Sequence, residues 1–481
     1  MKPILVLVNG ALRLSDHPAL FKASETGAPV IPIYIYDDES RGVRPLGGAS
    51  KLWLLKSLES LSKSLTALDS RLLIRRGATL EVLRELVAET GAGSIYMTRR
   101  YSPWARDIEE DIHSFAVNSQ IECRRFGGNL LLEPEEPKTL QGKPYGVFSP
   151  FWRKLQEILG AVMPLPLPQK LELPAVWPES ESLSADDLIP KPHHWFAPIE
   201  AAWNVGEAGA AEKLERFTEE AIHLYAKGRD LPGHDLTSQL SPYLAFGEIS
   251  PRQIWHHVQE ATKERPDYEK GAYSYLREIG WREFSYHLLF HNKEMPKEPL
   301  RQNFKDFPWF KGEGNTLTAW QKGKTGFPII DAGMRQLWQT GWMHNRVRMI
   351  VASFLVKDLL WHWHEGEEWF WDTLVDADIA SNSASWQWVA GCGADAAPFF
   401  RIFNPVTQGE KFDPDGAYIR KYVPELKHMP NKFIHRPFEA PLLVLKEAGV
   451  ELGDTYPEPI VDRKKTRADA LAAYETVKVA K

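Results

Sequence analysis

The sequence predicts an α/β domain built on a doubly wound parallel sheet, followed by a larger all-helical domain. Up to about residue 130, apolar β-rich runs alternate with helical stretches. Residues 127 to 200 carry twelve prolines, and beyond about residue 205 long helical periods interleave aromatic and charged residues. At 481 residues the chain exceeds one compact core, so the expected division is an α/β domain over 1–130, a connector over 131–204 and a helical domain over 205–481.

The expected strands are "ILVLV", "VIPIYIY", "RLLIR", "SIYMT" and "IECRRF". Between Ala49 and Leu68, leucines 54, 55, 58, 61, 65 and 68 recur at steps that define one buried helical face. Apolar strands with helical crossovers imply a parallel sheet covered on both faces. The first strand runs into "VNGALRL", which lacks the GxGxxG turn of a dinucleotide site. Proline density in the connector argues against regular helices or central strands there. Twelve of the 18 tryptophans fall between Trp255 and Trp388, within the helical part.

The formal charge of −6 argues against wholesale coating of nucleic acid but leaves local basic patches open. Residues 401 to 436 hold seven Lys/Arg against four Asp/Glu, a local +3; a solvated, neighbour-balanced face is the alternative reading. Cys123 and Cys392 are far apart and form no disulfide or zinc pattern, which fits a reducing compartment. The short apolar run in "MKPILVLVNGA" leads into a helix of the fold, so no signal peptide is read. No apolar stretch approaches the ~20 residues of a membrane span. A cytoplasmic protein is expected.

Two motifs are decoys. "TAWQKGKTG" has Thr318 where a phosphate loop needs glycine. "WHWHEGEEWF" offers His362 and His364 two apart, so on a helix they point away from each other, and no metal is expected. A stronger signal is "GRDLPGHDLTSQLSPYLAFGEISPRQ", where Thr237, Ser238 and Ser241 stand where a helix can begin and bind an anion; simple capping is the alternative. "DADIASNSASWQW", Asp376 to Trp388, sets two acids, an amide and two tryptophans in one run, in a conformation the pattern does not define.

With "WREF", "AWQKGKTGFPIIDAGMRQL", "GWMHNRVRMIVASFLVKDLL", "WQW" and "RIFNPVTQGEKFD", these segments closely resemble the photolyase/cryptochrome flavoproteins. Within that family the sequence is most similar to bacterial cyclobutane pyrimidine dimer photolyases, nearer class III than class I. The resemblance implies FAD in the helical domain, held by Tyr225, Thr237, Ser238, Gln239, Leu240, Ser241, Arg282, Asn345, Arg348, Asp376, Asp378 and Asn382. Gln239 departs from the arginine of many relatives and leaves less charge for the pyrophosphate. Asp376 is expected to pair with Arg348, and Asn382 to face the flavin N5 as a neutral amide.

The same resemblance implies light-driven repair of pyrimidine dimers in DNA, with Glu278, Trp281, Met349, Asn382 and Trp388 in the catalytic set. Trp281 and Trp388 would grip the flipped lesion. Trp386 would open an electron path through Trp363 and Trp320, with Trp361, Trp369 and Trp371 as candidates for a branch. Arg346, Arg401, Lys411, Arg420 and Lys421 would meet phosphates. Relatives that repair the 6-4 photoproduct carry histidines near the lesion, whereas "HNRVRM" sets Met349 beside the site, favouring the dimer as substrate. A monomer acting without a membrane is implied.

An antenna pigment is also implied. Asn9 and Ala11 replace arginine and aspartate while Leu12 and Arg13 remain, and Pro103 and Trp104 replace an Asn-Glu pair. A methenyltetrahydrofolate bound in another orientation is expected, a deazaflavin being the alternative, with Trp104 as a stacking surface. Two rivals remain: a cryptochrome-type blue-light photoreceptor without repair, and a dark flavin oxidoreductase.

Overall fold

A computed structural model describes residues 1–189, 191–312, 314–395 and 401–478. Five parallel strands, β1 (Ile4–Leu7), β2 (Val30–Tyr36), β3 (Leu73–Arg76), β4 (Ser94–Thr98) and β5 (Glu122–Phe126), stand in the order β3-β2-β1-β4-β5. Ile4 of β1 is in register with Val30 of β2 and with Ser94 of β4. This is the doubly wound sheet the alternation predicts, with the strand order reversing between β1 and β4.

Helices α1 (Pro18–Ser24), α2 (Gly48–Thr66), α3 (Thr79–Thr90) and α4 (Pro103–Asn118) follow the first four strands. Leu5, Leu7, Ile31, Ile33, Ile95 and Met97 pack with Leu83 and Leu86 of α3 and Ile108 and Ile112 of α4. Ile4, Val6 and Val30, which point to the opposite face, are equally buried. Burial on both faces explains why β1 and β2 read as unbroken apolar runs, each large side chain contributing about 1.5–3 kcal/mol. The edge strand β5, "ECRRF", is largely exposed and polar, which blunts that edge against further pairing.

The proline-rich stretch corrects the expectation that it holds no regular helix: α5 spans Phe148–Ile158 and includes Pro150. Pro150 lies in the first turn, where backbone N–H groups have no intrahelical acceptor, so the missing donor costs nothing.

By compactness the chain groups into two units. The first comprises Met1–His223, Ser238–Lys293 and Val375–Ala380; the second, Leu224–Thr237, Glu294–Leu374 and Ser381–Lys481. The first holds the sheet, α5 and the long helix Glu269–His291, whose Gly280 lets the Trp152 ring approach within 2.4 Å of where a Cβ would stand. The second is helical, with Trp320, Ile330, Met334, Val347, Val351, Leu355, Phe370 and Trp386 in its core. Gly333 brings helix Pro328–Thr340 against Val347 and Val351 of helix Asn345–Ser353.

Candidate functional site

On helix Glu269–His291, Glu278, Trp281 and Arg282 are spaced i, i+3, i+4 and share one face. All three are half-buried, while Gly280 and Glu283 on other faces are buried. Phe148 of α5 is fully buried and lies parallel on Trp281, ring centroids 3.7 Å apart at 9°. A rigid indole plane results. Arg282 donates to the Asn129 carbonyl at 2.8 Å, and its guanidinium lies over the Tyr286 ring at 4.8 Å. The Tyr286 hydroxyl donates to Asp378. Beside Arg282, the Glu283 carboxylate accepts from Leu131 N at 2.8 Å; burial pushes its pKa up to about 7.

A helix does start at Ser241, running to Phe246, with Leu240 at the N-cap. Gln239 adopts the left-handed conformation (φ 52°), and its side-chain oxygen accepts from Lys213 Nζ at 2.7 Å. Lys213 comes from helix Glu207–Arg216 and lies over Trp203 at 5.3 Å. A cation therefore stands beside Gln239, supplied by a different element and signalled by nothing local in the sequence.

In the second unit, helix Asn345–Ser353 sets Asn345, Arg348 and Met349 on one face. His344 caps this helix, its Nδ1 accepting from Arg346 N at 3.2 Å, so Nε2 carries the proton. That buried Nε2 has no partner among the described residues, an orphaned donor next to Asn345. Arg348 donates to the Met343 carbonyl at 2.7 Å. Arg346 pairs with Asp230 at 2.9 Å and reaches Met349 Sδ at 3.5 Å. Tyr225 is buried, with Arg229 over its ring.

The run from Asp376 to Trp388 turns into helix Ile379–Ala390. Successive residues of a helix point about 100° apart, so "WQW" projects in three directions. Trp386 enters the core edge-on to Phe370 (5.0 Å) and Trp320 (6.3 Å). Gln387 is fully buried, donates to the Met295 and Glu298 carbonyls at 2.7 and 2.8 Å and accepts from Leu300 N at 2.9 Å. Trp388 is half-buried and donates from Nε1 to the Asp395 carbonyl at 3.2 Å. Lys357 donates to the Ala390 carbonyl at 2.8 Å and closes the helix end.

Asn382 is held from behind. Its Nδ2 donates to the Glu367 carbonyl at 3.0 Å and to Glu367 Oε1 at 2.8 Å. Both amide hydrogens are thereby committed, and the side-chain oxygen remains as the acceptor. Such an oxygen suits a ring N–H, which a reduced flavin presents at N5. That acceptor fits a flavin.

The tryptophan geometry refines the expected path. Trp320 is fully buried and donates to the Val351 carbonyl at 3.0 Å, so it cannot itself meet a soluble reductant. Trp363 lies against His364 (3.8 Å) and His362 (5.6 Å), and His362 in turn lies against the half-buried Trp309 (5.1 Å). Of the two tryptophans in that group, Trp363 is buried and Trp309, which the sequence reading did not single out, is half-buried. Trp369 stacks on the exposed Trp338 at 6.1 Å, and Trp361 donates to Thr316.

Both decoys have structural explanations, one with a correction. Thr325 of the GKT run donates N–H and O–H to the buried Asp331, each at 2.7 Å, which commits it to holding a turn. The rings of His362 and His364 do not diverge but lie 4.7 Å apart, because His362 is the N-cap of helix Trp363–Thr373 and accepts from His364 N. Burial lowers the His362 pKa to about 4, so it stays neutral.

In the basic segment, Arg401, Lys411 and Lys421 are exposed. Arg420 is not available as expected: it binds the carbonyls of Asp415, Lys427 and Met429 and so ties its own loop together.

Comparison with known proteins bears on these arrangements. Residues 275–476 match the FAD-binding domain of DNA photolyase, and residues 4–171 match the DNA photolyase domain. The deoxyribodipyrimidine photo-lyase of Agrobacterium fabrum is 49% identical over 476 residues, 99% of this chain and 98% of that protein. The chain belongs to the photolyase/cryptochrome family. Its photolyase fold is close to the crystal structure of a bacterial class III photolyase from Agrobacterium tumefaciens, with a TM-score of 0.94 at 49% identity, covering 99% of this chain and 98% of that one. Cryptochrome-2 of Arabidopsis thaliana is 38% identical, over 96% of this chain and 77% of that protein. Among the described residues, no helix of this photolyase-family chain is long and apolar enough to cross a membrane.

Proposed function

We propose that this chain is a deoxyribodipyrimidine photo-lyase of class III that repairs cyclobutane pyrimidine dimers in DNA under blue light. The observation that carries the reading is Asn382: a neutral amide with both hydrogens held by Glu367, which offers N5 an acceptor but no readily released proton. Signalling relatives often carry an acid or a cysteine at that position.

FAD would be held by Tyr225, Thr237, Ser238, Gln239, Leu240, Ser241, Arg282, Asn345, Arg348, Asp376, Asp378 and Asn382, with Lys213 restoring charge near Gln239. When bound, FAD supplies light-driven donation of one electron to the lesion. The chain's own residues do the rest. Trp281 and Trp388 stack on the flipped pyrimidines, Phe148 and the Asp395 carbonyl fixing their planes. Glu278 and Met349 flank them, and ring opening by electron donation needs no proton shuttle. Arg346, already neutralised in part by Asp230, orients Met349, while Arg401, Lys411 and Lys421 meet phosphates. Electrons reach Trp386 by way of Trp320 and Trp363, with Trp309 at the solvent end.

The functional division follows residues 1–130, 131–204 and 205–481, and the protein acts as a monomer in the cytoplasm, joining the nucleoid when bound to DNA. Methenyltetrahydrofolate is the proposed antenna, a deazaflavin the alternative. Asn9 is not free to contact it, since its amide exchanges hydrogen bonds with the Ile35 backbone at 2.7 and 3.1 Å. Trp104, half-buried in the first turn of α4, is the stacking candidate.

The deciding experiment incubates reduced protein with dimer-containing oligonucleotide and counts restored thymines in light and dark. Restoration in light alone is expected. Dimers that bind but persist in light would replace this reading with that of a photoreceptor.

A further inference from the structure

Within the first unit, two tyrosines are arranged in a way that neither lesion binding nor the tryptophan path uses. Tyr286, on helix Glu269–His291, donates its hydroxyl to Asp378. Tyr101, between β4 and α4, donates its hydroxyl to both oxygens of Glu133 at 3.1 Å. The two rings meet edge to face, centroids 5.6 Å apart at 78°. Tyr101 is 3% exposed and Tyr286 is half-buried. Each phenol therefore donates to a carboxylate, Glu133 also pairing with Arg99, and the two phenol rings are in contact.

This is the arrangement that oxidation of a phenol requires. Removing an electron from tyrosine makes the hydroxyl proton strongly acidic, so the step is accessible only where a base already accepts that hydrogen bond. Satisfying a buried hydroxyl needs only a carbonyl or water; a carboxylate at both positions adds a proton acceptor at each. Burial and the neighbouring carboxylates also push both phenol pKa values well above the usual range, so neither tyrosine is anionic at rest. Glu133 has a side-chain exposure of 30%, which places the outer proton acceptor at the solvent edge.

We infer that Tyr286 and Tyr101 form a second, tyrosine-based electron supply for the flavin, each phenol releasing its proton to its own carboxylate. It rests on the reading that FAD is bound against Arg282 and Asp378. In the first step Tyr286 gives up one electron towards the bound, light-excited FAD while its phenol proton crosses to Asp378. In the second, Tyr101 gives an electron to the Tyr286 phenoxyl, which recovers its proton from Asp378, and the Tyr101 proton crosses to Glu133. The net result is one electron delivered, a neutral phenoxyl at Tyr101 and a protonated Glu133. A soluble thiolate at the Glu133 surface then returns the electron across the thin cover of Tyr101, Glu133 returns the proton, and two such turnovers leave one disulfide.

The test uses the full chain with bound FAD, verified by visible absorption, carrying Trp386→Phe to remove the tryptophan route. A blue flash should give a radical EPR signal whose hyperfine pattern changes when the protein is grown on ring-deuterated tyrosine. Adding Tyr286→Phe should abolish the signal with flavin content unchanged. Adding Tyr101→Phe should leave a shorter-lived signal at Tyr286, and Glu133→Gln, which keeps the hydrogen bond but cannot take the proton, should do the same. A signal insensitive to deuteration, one that survives Tyr286→Phe, or silence in flavin-loaded protein overturns the relay while leaving the flavin reading intact. Protein that purifies without flavin and takes up none overturns the flavin reading itself.

Discussion

Trp281 and Trp386 are the same residue type in two different settings. Trp281 is half-buried and lies flat on Phe148 at 3.7 Å and 9°. Trp386 is 2% exposed and meets Phe370 and Trp320 edge-on, at 74° and 72°. A parallel stack at the edge of solvent makes a platform on which another flat ring can be added. An edge-on cluster in a core excludes ligands but keeps redox-active rings in contact. Burial and ring angle, not residue identity, separate a surface that can take another ring from a buried redox-capable cluster.

The largest effect should come from breaking the buried partner. Trp386→Phe keeps a ring for packing but removes the easily oxidised indole, so photoreduction should collapse. Enzyme reduced chemically beforehand should still repair. Flavin bleaching under blue light and thymine restoration measure the two separately, and equal loss of both would make Trp386 structural. Trp388→Phe, on the same helix, should do the reverse, weakening dimer binding by about 1–3 kcal/mol while sparing photoreduction.

On the platform side, Phe148→Ala removes a fully buried ring and should cost about 3–5 kcal/mol of stability. Phe148→Leu, which retains most of the packing, should still raise the Kd for dimer DNA through a looser Trp281 while leaving photoreduction unchanged. An unaltered Kd would mean that Trp281 is held by its own helix alone.

A smaller effect is expected from Gly366→Ala. A Cβ there would stand 2.0 Å from the Trp386 ring, so the indole must shift. The overpacking should cost about 1–3 kcal/mol, visible as a lower Tm, with photoreduction slowed in proportion. Normal photoreduction at a lower Tm would show that the path tolerates a displaced ring.

The smallest concerns pH and is confined to the platform helix. Burial raises the Glu283 pKa from 4.5 to about 7, so between those values the folded state keeps a proton that the unfolded chain has released. Stability should therefore decline as pH rises through that window and level off above it. Glu283→Gln should flatten the decline in Tm and leave the acid limb unchanged. A decline that persists would show that Arg282, at 3.6 Å, keeps Glu283 charged.

Much of the platform and the sheet was legible beforehand. The runs "VIPIYIY" and "SIYMT" coincide with β2 and β4, because a strand buried on both faces must be apolar throughout. Glu278, Trp281 and Arg282 share a face through helical spacing alone. Pro150 misled because the rule against proline applies to a helix interior and not to its first turn. Near "WQW", hydrophobicity did not resolve the structure, since Gln387 is buried in order to hold three backbone groups of a distant loop.

What the sequence determined by itself is what local chemistry and period dictate: the parallel sheet, the helical remainder, the family, and the residue types a flavin and a stacked lesion need. Tertiary structure alone decided the pairings. Lys213 meets Gln239 across 26 residues, Glu367 meets Asn382 across 15, and Tyr101 meets Tyr286 across 185, contacts that no local pattern encodes. The physical reason is that hydrogen bonds and ring contacts are satisfied in space. A chain states which donors, acceptors and rings it carries; only packing assigns each to its partner.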